Sequence, residues 1–271
     1  MFTPVVPFTG YAGFAFLERT YESQRRTFDK SPLMTRDTEY FEANIGKIST
    51  AEELVKDRRL LRVALGAFGL QDDIDNRFFI RKVLEEGTLD EKSLANKLSD
   101  DRYKELSDAF LFDRGTPQTK ISTFGAEIAE KFRRQEFEIA VGEQDESMRL
   151  ALNADRVLEE LSDSTASVDT QWFRIMGNQP LRKVFETAFG LPGSFGQIDL
   201  DQQAEVFRDR AEKLIGTDDP RAFAEQENRD KLVRTYLLRA QVAEMQTTTP
   251  GMIAQTLLAG SLSFMKSLRQ G

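Results

Sequence analysis

Residues 54–70 read LVKDRRLLRVALGAFGL, and residues 175–191 read IMGNQPLRKVFETAFGL. The two stretches align without a gap at an offset of 121 residues, and six aligned pairs are identical, including the closing Ala-Phe-Gly-Leu. In both stretches apolar residues recur with the spacing of one helix face rather than with the alternation of a strand. The match therefore predicts two similar helices in an all-α protein.

Both ends of these helices carry matching signals. Asp57 and Asn178 are good N-cap residues, because their side-chain oxygens accept hydrogen bonds from free amides of the first turn. Gly69 and Gly190 stand where a left-handed residue would end each helix, and each is followed by a leucine that can fold back onto the last turn. The two helices are expected to begin and end at equivalent positions.

The rest of the chain is also predicted to be helical. One apolar stripe consists of Ile121, Phe124, Ile128 and Phe132, and it predicts a long helix over 119–142. The signals for helix N-termini include the capping-box spacing of residues 49–52. Helices are predicted near 11–29, 37–46, 50–56, 58–68, 74–86, 90–98, 101–112, 119–142, 146–162, 170–177, 179–189, 200–215, 220–227, 229–245 and 251–268.

The repeat suggests an all-α, multi-helix bundle with two related, duplicated helical units joined by a long helix. The predicted parts are a charge-poor segment and helix (1–33), unit 1 (34–115), the linking helix (116–145), unit 2 (146–246) and a charge-poor C-terminal helix (247–271). No linker rich in Pro, Gly and Ser separates the units, so both can share one core. A chance match between stereotyped helix caps is the alternative to duplication.

Composition excludes several kinds of site. The 271 residues include no Cys and no His, so the chain cannot build a Ser-His-Asp triad, a thiol redox centre or a zinc site with imidazole or thiolate ligands. The net charge of −8 disfavours general binding to nucleic acid, because it repels the phosphate backbone. We predict no nucleic-acid partner and no cofactor.

Two acidic clusters are the candidates for metal-assisted or hydrolytic chemistry. They are Asp199 with Asp201, and the group Asp72, Asp73 and Asp75. Neither cluster continues as a calcium-binding loop, and helix starts account for both because carboxylates favour the first turn. The sequence also contains no nucleotide-binding glycine motif. We therefore predict no catalytic, cofactor-binding or metal-binding residue.

Both ends of the chain lack charge. Residues 1–17 and 247–265 contain no Asp, Glu, Lys or Arg. The first stretch lacks the basic start of a secretory signal, and the second is too polar for a convincing membrane span, so we predict neither a cleaved signal peptide nor a transmembrane segment. The ends either cover the core of the chain itself or become ordered on assembly with a partner.

Aromatic residues favour a packing role over ligand binding. The chain has 21 Phe against 5 Tyr, and Phe carries no polar group. Trp172, the single Trp, is predicted to anchor the core of unit 2, with a place in an interface as the alternative.

Several short motifs together resemble a known family. They are WFxxMGNxPLR at 172–182, AFGLP at 188–192, DxDQQ at 199–203, YF at 40–41, LVxD at 54–57 and ALxAFGL at 64–70. The chain resembles an uncharacterised bacterial all-helical family associated with flagellar gene clusters. The resemblance implies no activity, cofactor or catalytic residue.

The leading hypothesis is a non-enzymatic structural or interaction protein with a protein partner, serving flagellar assembly or structure. The alternatives are an export chaperone that binds a partner helix, and a carboxylate-dependent, metal-assisted hydrolase. We expect the chain in the cytoplasm, or in the flagellum if it is exported without a signal peptide. The sequence does not decide the oligomeric state.

Overall fold

The computed structural model describes residues 2–159, 161 and 166–247. These residues form thirteen α-helices and no strand, which confirms the predicted all-α multi-helix bundle. The helices are α1 (Gly10–Asp29), α2 (Pro32–Asn44), α3 (Ala51–Lys56), α4 (Arg58–Gly66), α5 (Arg77–Glu86), α6 (Leu94–Lys97), α7 (Arg102–Phe110), α8 (Phe124–Gly142), α9 (Glu146–Glu159), α10 (Val168–Gly177), α11 (Gln179–Phe189), α12 (Leu200–Ile215) and α13 (Gln226–Thr247). None of these helices combines the length and apolar character of a membrane span.

Helix α8 lies at the centre of the bundle. On one side it packs against α1, α2 and α4, and on the other against α9, which in turn packs against α11 and α13. The buried apolar side chains form one continuous cluster that extends from Phe14 to Leu237. Both predicted units therefore contribute to the same core, while their boundaries stay a prediction.

The two matching stretches have matching helix ends. Asp57 accepts hydrogen bonds from the amides of Arg59 and Leu60, and Asn178 accepts one from Leu181. The backbone at the two caps is nearly identical, with φ/ψ of −91°/101° at Asp57 and −83°/100° at Asn178. The predicted N-caps of α4 and α11 are therefore confirmed.

The C-terminal ends agree as well. Gly69 and Gly190 are left-handed, with φ of +69° and +66°. Leu70 N donates to Leu65 O, and Leu191 N donates to Glu186 O, each over 2.9 Å. This is the six-residue hydrogen bond of a Schellman ending, and it occurs at the same place in both stretches.

The order of elements around the two stretches is also similar. A short 3₁₀-helix follows each glycine, at Gln71–Asp73 and at Phe195–Gln197. The next helix then packs against the helix that comes before α4 or α11. In the first half α5 packs against α3, and in the second half α12 packs against α10. Duplication of whole units stays a prediction, because α4 packs against α2 and α8 whereas α11 packs against α9 and α13.

Trp172 is fully buried in the second half of the bundle, as predicted. Its ring meets Phe185 and Phe207 edge-on at centroid distances of 5.7 Å, and its Nε1 donates to Asp218 O over 2.9 Å. Further aromatic contacts link Phe207 to Phe189 and Phe195. The aromatic residues of this half thus fill its interior.

The predicted start of the long helix at 119 is wrong, because α8 begins at Phe124. Thr119 Oγ1 donates to Ile48 O and Lys120 Nζ donates to Gly46 O, so tertiary hydrogen bonds hold residues 118–120 as a separate 3₁₀ turn. Ile121 consequently leaves the buried stripe and is half exposed.

Four other predictions also need correction. The helix predicted at 37–46 begins earlier, at Pro32, a proline that is tolerated in the first turn of α2. Residues 220–224 form a 3₁₀-helix rather than an α-helix, and the helix predicted at 90–98 is reduced to Leu94–Lys97. The capping box lies one residue later than predicted: Thr50 caps Glu53 N, and the Glu53 carboxylate accepts from Ser49 N. The helix predicted at 251–268 lies outside the described residues.

The charge-free N-terminal segment packs against the body of the protein. Val5 exchanges hydrogen bonds with the side chain of Gln24, and Pro4 O accepts from Gln144 at the end of α8. Phe14 and Leu17 are buried in the core. Of the two interpretations of the charge-free ends, covering of the chain's own core holds for this segment. Residues 248–271 lie outside the described residues.

Candidate functional site

One cavity is a cleft of about 850 Å³ whose lining includes many charged side chains. It lies between the end of α4, α7, α8, α9 and the start of α11. Six basic side chains line it: Arg102, Lys131, Arg134, Arg149, Arg156 and Lys183.

Acidic partners hold most of the cleft arginines. Arg102 pairs with Asp100 and also donates to Gly69 O, so it ties α7 to the end of α4. Arg149 pairs with Glu146 one turn earlier on α9. The Arg156 guanidinium donates over 2.7 Å to Glu138, a carboxylate that is almost fully buried. Arg102 and Arg156 thus join the elements that form the cleft, whereas Arg149 pairs within α9.

The two cleft lysines have no ion-pair partner in the part of the chain that the structure describes. Lys131 Nζ lies over the Phe68 ring at 5.4 Å, and Lys183 is exposed on α11. Asn153 is buried in the wall, and its Oδ1 has no hydrogen-bond partner. These groups could contact a polar ligand, but the wall offers no nucleophile paired with a base.

Glu130 contributes no proton donor to the cleft. Burial acts to raise its pKa, but the hydrogen bond and charge of Arg25, together with Arg134 and Arg133, lower the pKa on balance. A carboxyl group with a lowered pKa stays ionised at neutral pH, whereas a general acid needs a raised one.

A neighbouring cavity of about 330 Å³ was not predicted from the sequence. Its lining includes Asp101, Glu105 and Asp108 of the α7 region, which follow the spacing of one helix face. Burial raises the pKa of Asp101, and the charges of Lys104 and Arg174 oppose that rise. The i, i+4, i+7 spacing was the signal available in the sequence.

The predicted acidic clusters are not brought together. Asp199 caps α12 by accepting from Asp201 N. Asp73 accepts from Tyr103 Oη, and Asp75 pairs with Arg58, which lowers the Asp75 pKa. Among the residues described, no three acidic side chains are grouped as a metal site requires. Asp199, Asp73 and Asp75 thus serve as a helix cap, a hydrogen-bond acceptor and an ion-pair partner, whereas Asp72 lies in the lining of the cleft.

A second surface is apolar and lies where α1 meets α13. Phe8 and Tyr11, before and within the first turn of α1, are 59% and 37% exposed, and Leu238 and Val242 of α13 are 45% and 53% exposed. The Arg234 guanidinium covers the Tyr11 ring, and Gln241 touches Gly10. Leu238 follows Arg234 by one turn and precedes Val242 by one turn, so it lies on the same face of α13. We call Phe8, Tyr11, Leu238 and Val242 the apolar surface.

The residues that line the cleft all fall between 67 and 183. The profile of a family described as a protein of unknown function, DUF1217, matches residues 67–223. The chain belongs to the DUF1217 family. The DUF1217 match contains the whole cleft, whereas the apolar surface is formed by residues on either side of it.

A solved structure has the same fold as this DUF1217 chain. The crystal structure of protein AGR_C_984 from Agrobacterium tumefaciens, a structural-genomics target, matches with a TM-score of 0.71 and 26% sequence identity. The match covers 88% of this chain and 98% of that one. No curated protein matches the chain.

Proposed function

We propose that this protein is a non-enzymatic interaction protein whose partner binds at the apolar surface, and that it serves flagellar assembly or structure. The observation that carries the proposal is the exposure of Phe8, Leu238 and Val242, which lie beside or on the helices α1 and α13 that pack against each other. Exposed apolar side chains that are grouped in this way are typical of protein interfaces.

The partner that fits this surface best is an amphipathic helix of a flagellar component. The apolar surface lies along α13 and across the start of α1, so a helix could lay its apolar face against both. No charged residue precedes Glu18 in the chain, so a partner at this surface meets the Arg234 guanidinium over Tyr11 but no charge from the N-terminal segment itself. The flagellar part of this proposal rests on the resemblance of the sequence to a family associated with flagellar gene clusters.

The chemistry of the cleft supports a role without catalysis. Arg156 pairs with Glu138 between α9 and α8, and Arg149 pairs with Glu146 within α9. Of the candidate carboxylates, Asp199 caps α12, Asp73 accepts from Tyr103 and Asp75 pairs with Arg58. Such groups hold helices in place and are not free to transfer protons to a substrate.

The test exploits the absence of cysteine from the chain. A photo-crosslinker attached to Phe8→Cys should capture one flagellar protein in motile cells, and the same crosslinker on Phe78→Cys should not. Phe78 is a matched control, because it is also a phenylalanine and is 73% exposed on α5.

Capture alone is insufficient, so the purified partner is then titrated against variants. Phe8→Asp and Val242→Asp should weaken its binding at least tenfold, and Phe78→Asp should change it less than twofold. Equal binding by all three variants, or normal motility in a deletion strain, contradicts the proposal.

A further inference from the structure

We propose that the cleft binds a small anionic polyol, a hydroxyl-rich molecule that carries one phosphate or carboxylate group. The juxtaposition behind the inference is that unpaired lysines and buried amide side chains with unpaired carbonyl oxygens line the same cavity. The inference goes beyond the proposed function, because it concerns a different part of the molecule and does not depend on a protein partner.

Three residues of the cleft walls have buried polar atoms that lack a hydrogen-bond partner among the described residues. These atoms are Gln71 Oε1, Arg134 Nε and Asn153 Oδ1. The whole Asn153 residue is only 8% exposed. Buried polar atoms in folded proteins are nearly always hydrogen-bonded. The grouping of three unpaired atoms around one cavity therefore indicates a ligand that pairs with them.

The unpaired carbonyl oxygens require a hydrogen-bond donor from the ligand. Asn153 lies in the middle of α9 and Gln71 follows the end of α4, so the two amides belong to different walls. An amide turns readily about its last side-chain bond, which lets Asn153 present either its oxygen or its amino group to the cleft. A hydroxyl both donates and accepts, so it pairs with an amide in either orientation. A ligand with several hydroxyls thus matches both walls.

The charges of the lining select a ligand with a single anionic group. The lining contains six basic and five acidic side chains, so its excess is one positive charge. Arg149 and Arg156 are held in ion pairs, whereas Lys131 and Lys183 have none in the part of the chain that the structure describes. Such ammonium groups bind phosphate or carboxylate as point charges. A polyphosphate is disfavoured, because the acidic side chains repel further negative charge.

The size of the cleft and its aromatic content narrow the class of ligand further. The volume of about 850 Å³ is within the range of about 300–1,000 Å³ that is typical of pockets for small organic molecules. Phe68 is the one aromatic residue of the lining, and it is only 6% exposed. The wall thus offers no open ring on which a nucleobase could stack. A sugar phosphate or a sugar acid fits these properties.

The cleft lies between the two halves of the bundle. Its walls include α4 and α7 of the first half and α9 and α11 of the second. A ligand that contacts Gln71 and Asn153 at once therefore links the halves. Because it binds the folded state and not the unfolded one, a saturating ligand should raise the unfolding temperature by several degrees.

The first test is isothermal titration calorimetry on the full-length protein at constant ionic strength. The probes are glucose 6-phosphate, ribose 5-phosphate and gluconate, with glucose and sulfate as controls. At least one anionic polyol should bind at least tenfold more tightly than both controls, and the comparison of phosphates with gluconate identifies the preferred acid group. Sulfate binding of equal strength would mean an adventitious ion only and overturn the inference, as would no binding of any anionic polyol at millimolar concentration.

The second test removes the two unpaired charges. The double substitution Lys131→Gln with Lys183→Gln should weaken binding of the best probe at least tenfold. Lys92→Gln is the matched control and should change binding less than twofold, because Lys92 is exposed but does not line the cleft. Equal affinity of the double variant and the wild type overturns the inference.

The third test separates binding by Asn153 from a structural role. Asn153→Leu should weaken binding at least tenfold but should not lower the unfolding temperature of the free protein, because Asn153 Oδ1 makes no hydrogen bond that the substitution removes. Unchanged binding by a folded Asn153→Leu protein overturns the inference. If this variant does not fold, the lysine variants decide.

The outcomes also distinguish this inference from the proposed function. Phe8→Asp lies outside the cleft and should leave binding of the probe unchanged. If the probe binds but no flagellar protein is captured, the inference stands and the proposed function fails. If a partner is captured at the apolar surface but no anionic polyol binds, the proposed function stands and the inference fails.

Discussion

At the scale of single residues, the left-handed glycines at the ends of the two matching helices restrict which side chain their positions accept. Gly69 and Gly190 both end helices at positive φ. A Cβ at Gly190 would also overlap the Arg239 guanidinium, whereas one at Gly69 would approach Arg102 Nη1 at 3.3 Å. The sequence predicted the left-handed conformation, but only the fold revealed the arginine above Gly190.

Gly190→Ala is expected to destabilise the protein by about 1–2 kcal/mol, because a left-handed alanine is strained. Chemical denaturation followed by circular dichroism measures the change. Gly193→Ala is the control, since its φ is not positive and nothing lies within 4 Å of an added Cβ. It should change stability by less than about 0.5 kcal/mol. Equal effects of the two substitutions contradict the assignment of strain to Gly190.

Glu136 illustrates a buried charge on α8. Burial raises its pKa, Arg62 opposes that rise, and Asp37 and Glu143 add to it. Because the folded pKa exceeds the unfolded one, an ionised Glu136 lowers stability above its folded pKa. The penalty diminishes as the pH falls through that pKa towards about 4, where the unfolded state is protonated as well.

Glu136→Gln should therefore stabilise the protein at pH 7, by an amount on the order of 1 kcal/mol. Its advantage over the wild type should shrink as the pH is lowered towards 4. Denaturation series at pH 4, 5, 6 and 7 measure this difference. An advantage that does not depend on pH would mean that titration of Glu136 is not its source.

At the scale of elements, the helix caps were the most predictable feature. Asp57 and Asn178 cap as expected, and α11 and α12 have the predicted bounds. Prediction failed where a distant residue decides the local structure. Nothing near residue 119 in sequence indicates that Ile48 O accepts a hydrogen bond from Thr119 and so separates this turn from α8.

The cap substitutions Asp57→Ala and Asn178→Ala are each expected to cost about 1 kcal/mol. Asp57→Ala should cost more, because Tyr40 Oη also donates to the Asp57 carboxylate over 2.7 Å. Thermal or chemical unfolding measures both. Thr123→Ala is the control, since Thr123 precedes α8 without a side-chain cap bond. A larger loss for Asn178→Ala than for Asp57→Ala would contradict this account.

At the scale of the whole molecule, the continuous core predicts one cooperative transition. Trp172 reports on the second half of the bundle, whereas Leu61 is fully buried in the first half. If the halves share one core, a cavity created at Leu61 lowers the stability of the whole bundle. The unfolding transition followed by Trp172 emission should then shift as well.

Leu61→Ala should lower the free energy of unfolding by about 2–5 kcal/mol. Trp172 emission and far-ultraviolet circular dichroism should give the same shifted midpoint. Ile121→Ala, at a half-exposed position, should change stability by less than about 0.5 kcal/mol. A Trp172 transition that stays at the wild-type midpoint would indicate two independent domains and contradict the single core.

The candidate site includes features that the sequence predicts and features that it does not. The acidic clusters were visible in sequence, and their assignment to helix starts agrees with Asp199, which caps α12. The cleft was not visible, because its walls come from five helices, and residues as distant in sequence as Ala67 and Lys183 line it. Spacing along one chain does not specify which helix faces meet.

The amino-acid sequence by itself determined the helical class, the caps at Asp57 and Asn178 and the left-handed stops at Gly69 and Gly190, because these depend on contacts within one or two helical turns. The tertiary structure alone decided that α1 and α13, which are far apart in the chain, pack against each other, and that one core joins both halves. Such features arise from packing between distant helices, whose partners are selected by shape and burial over the whole bundle.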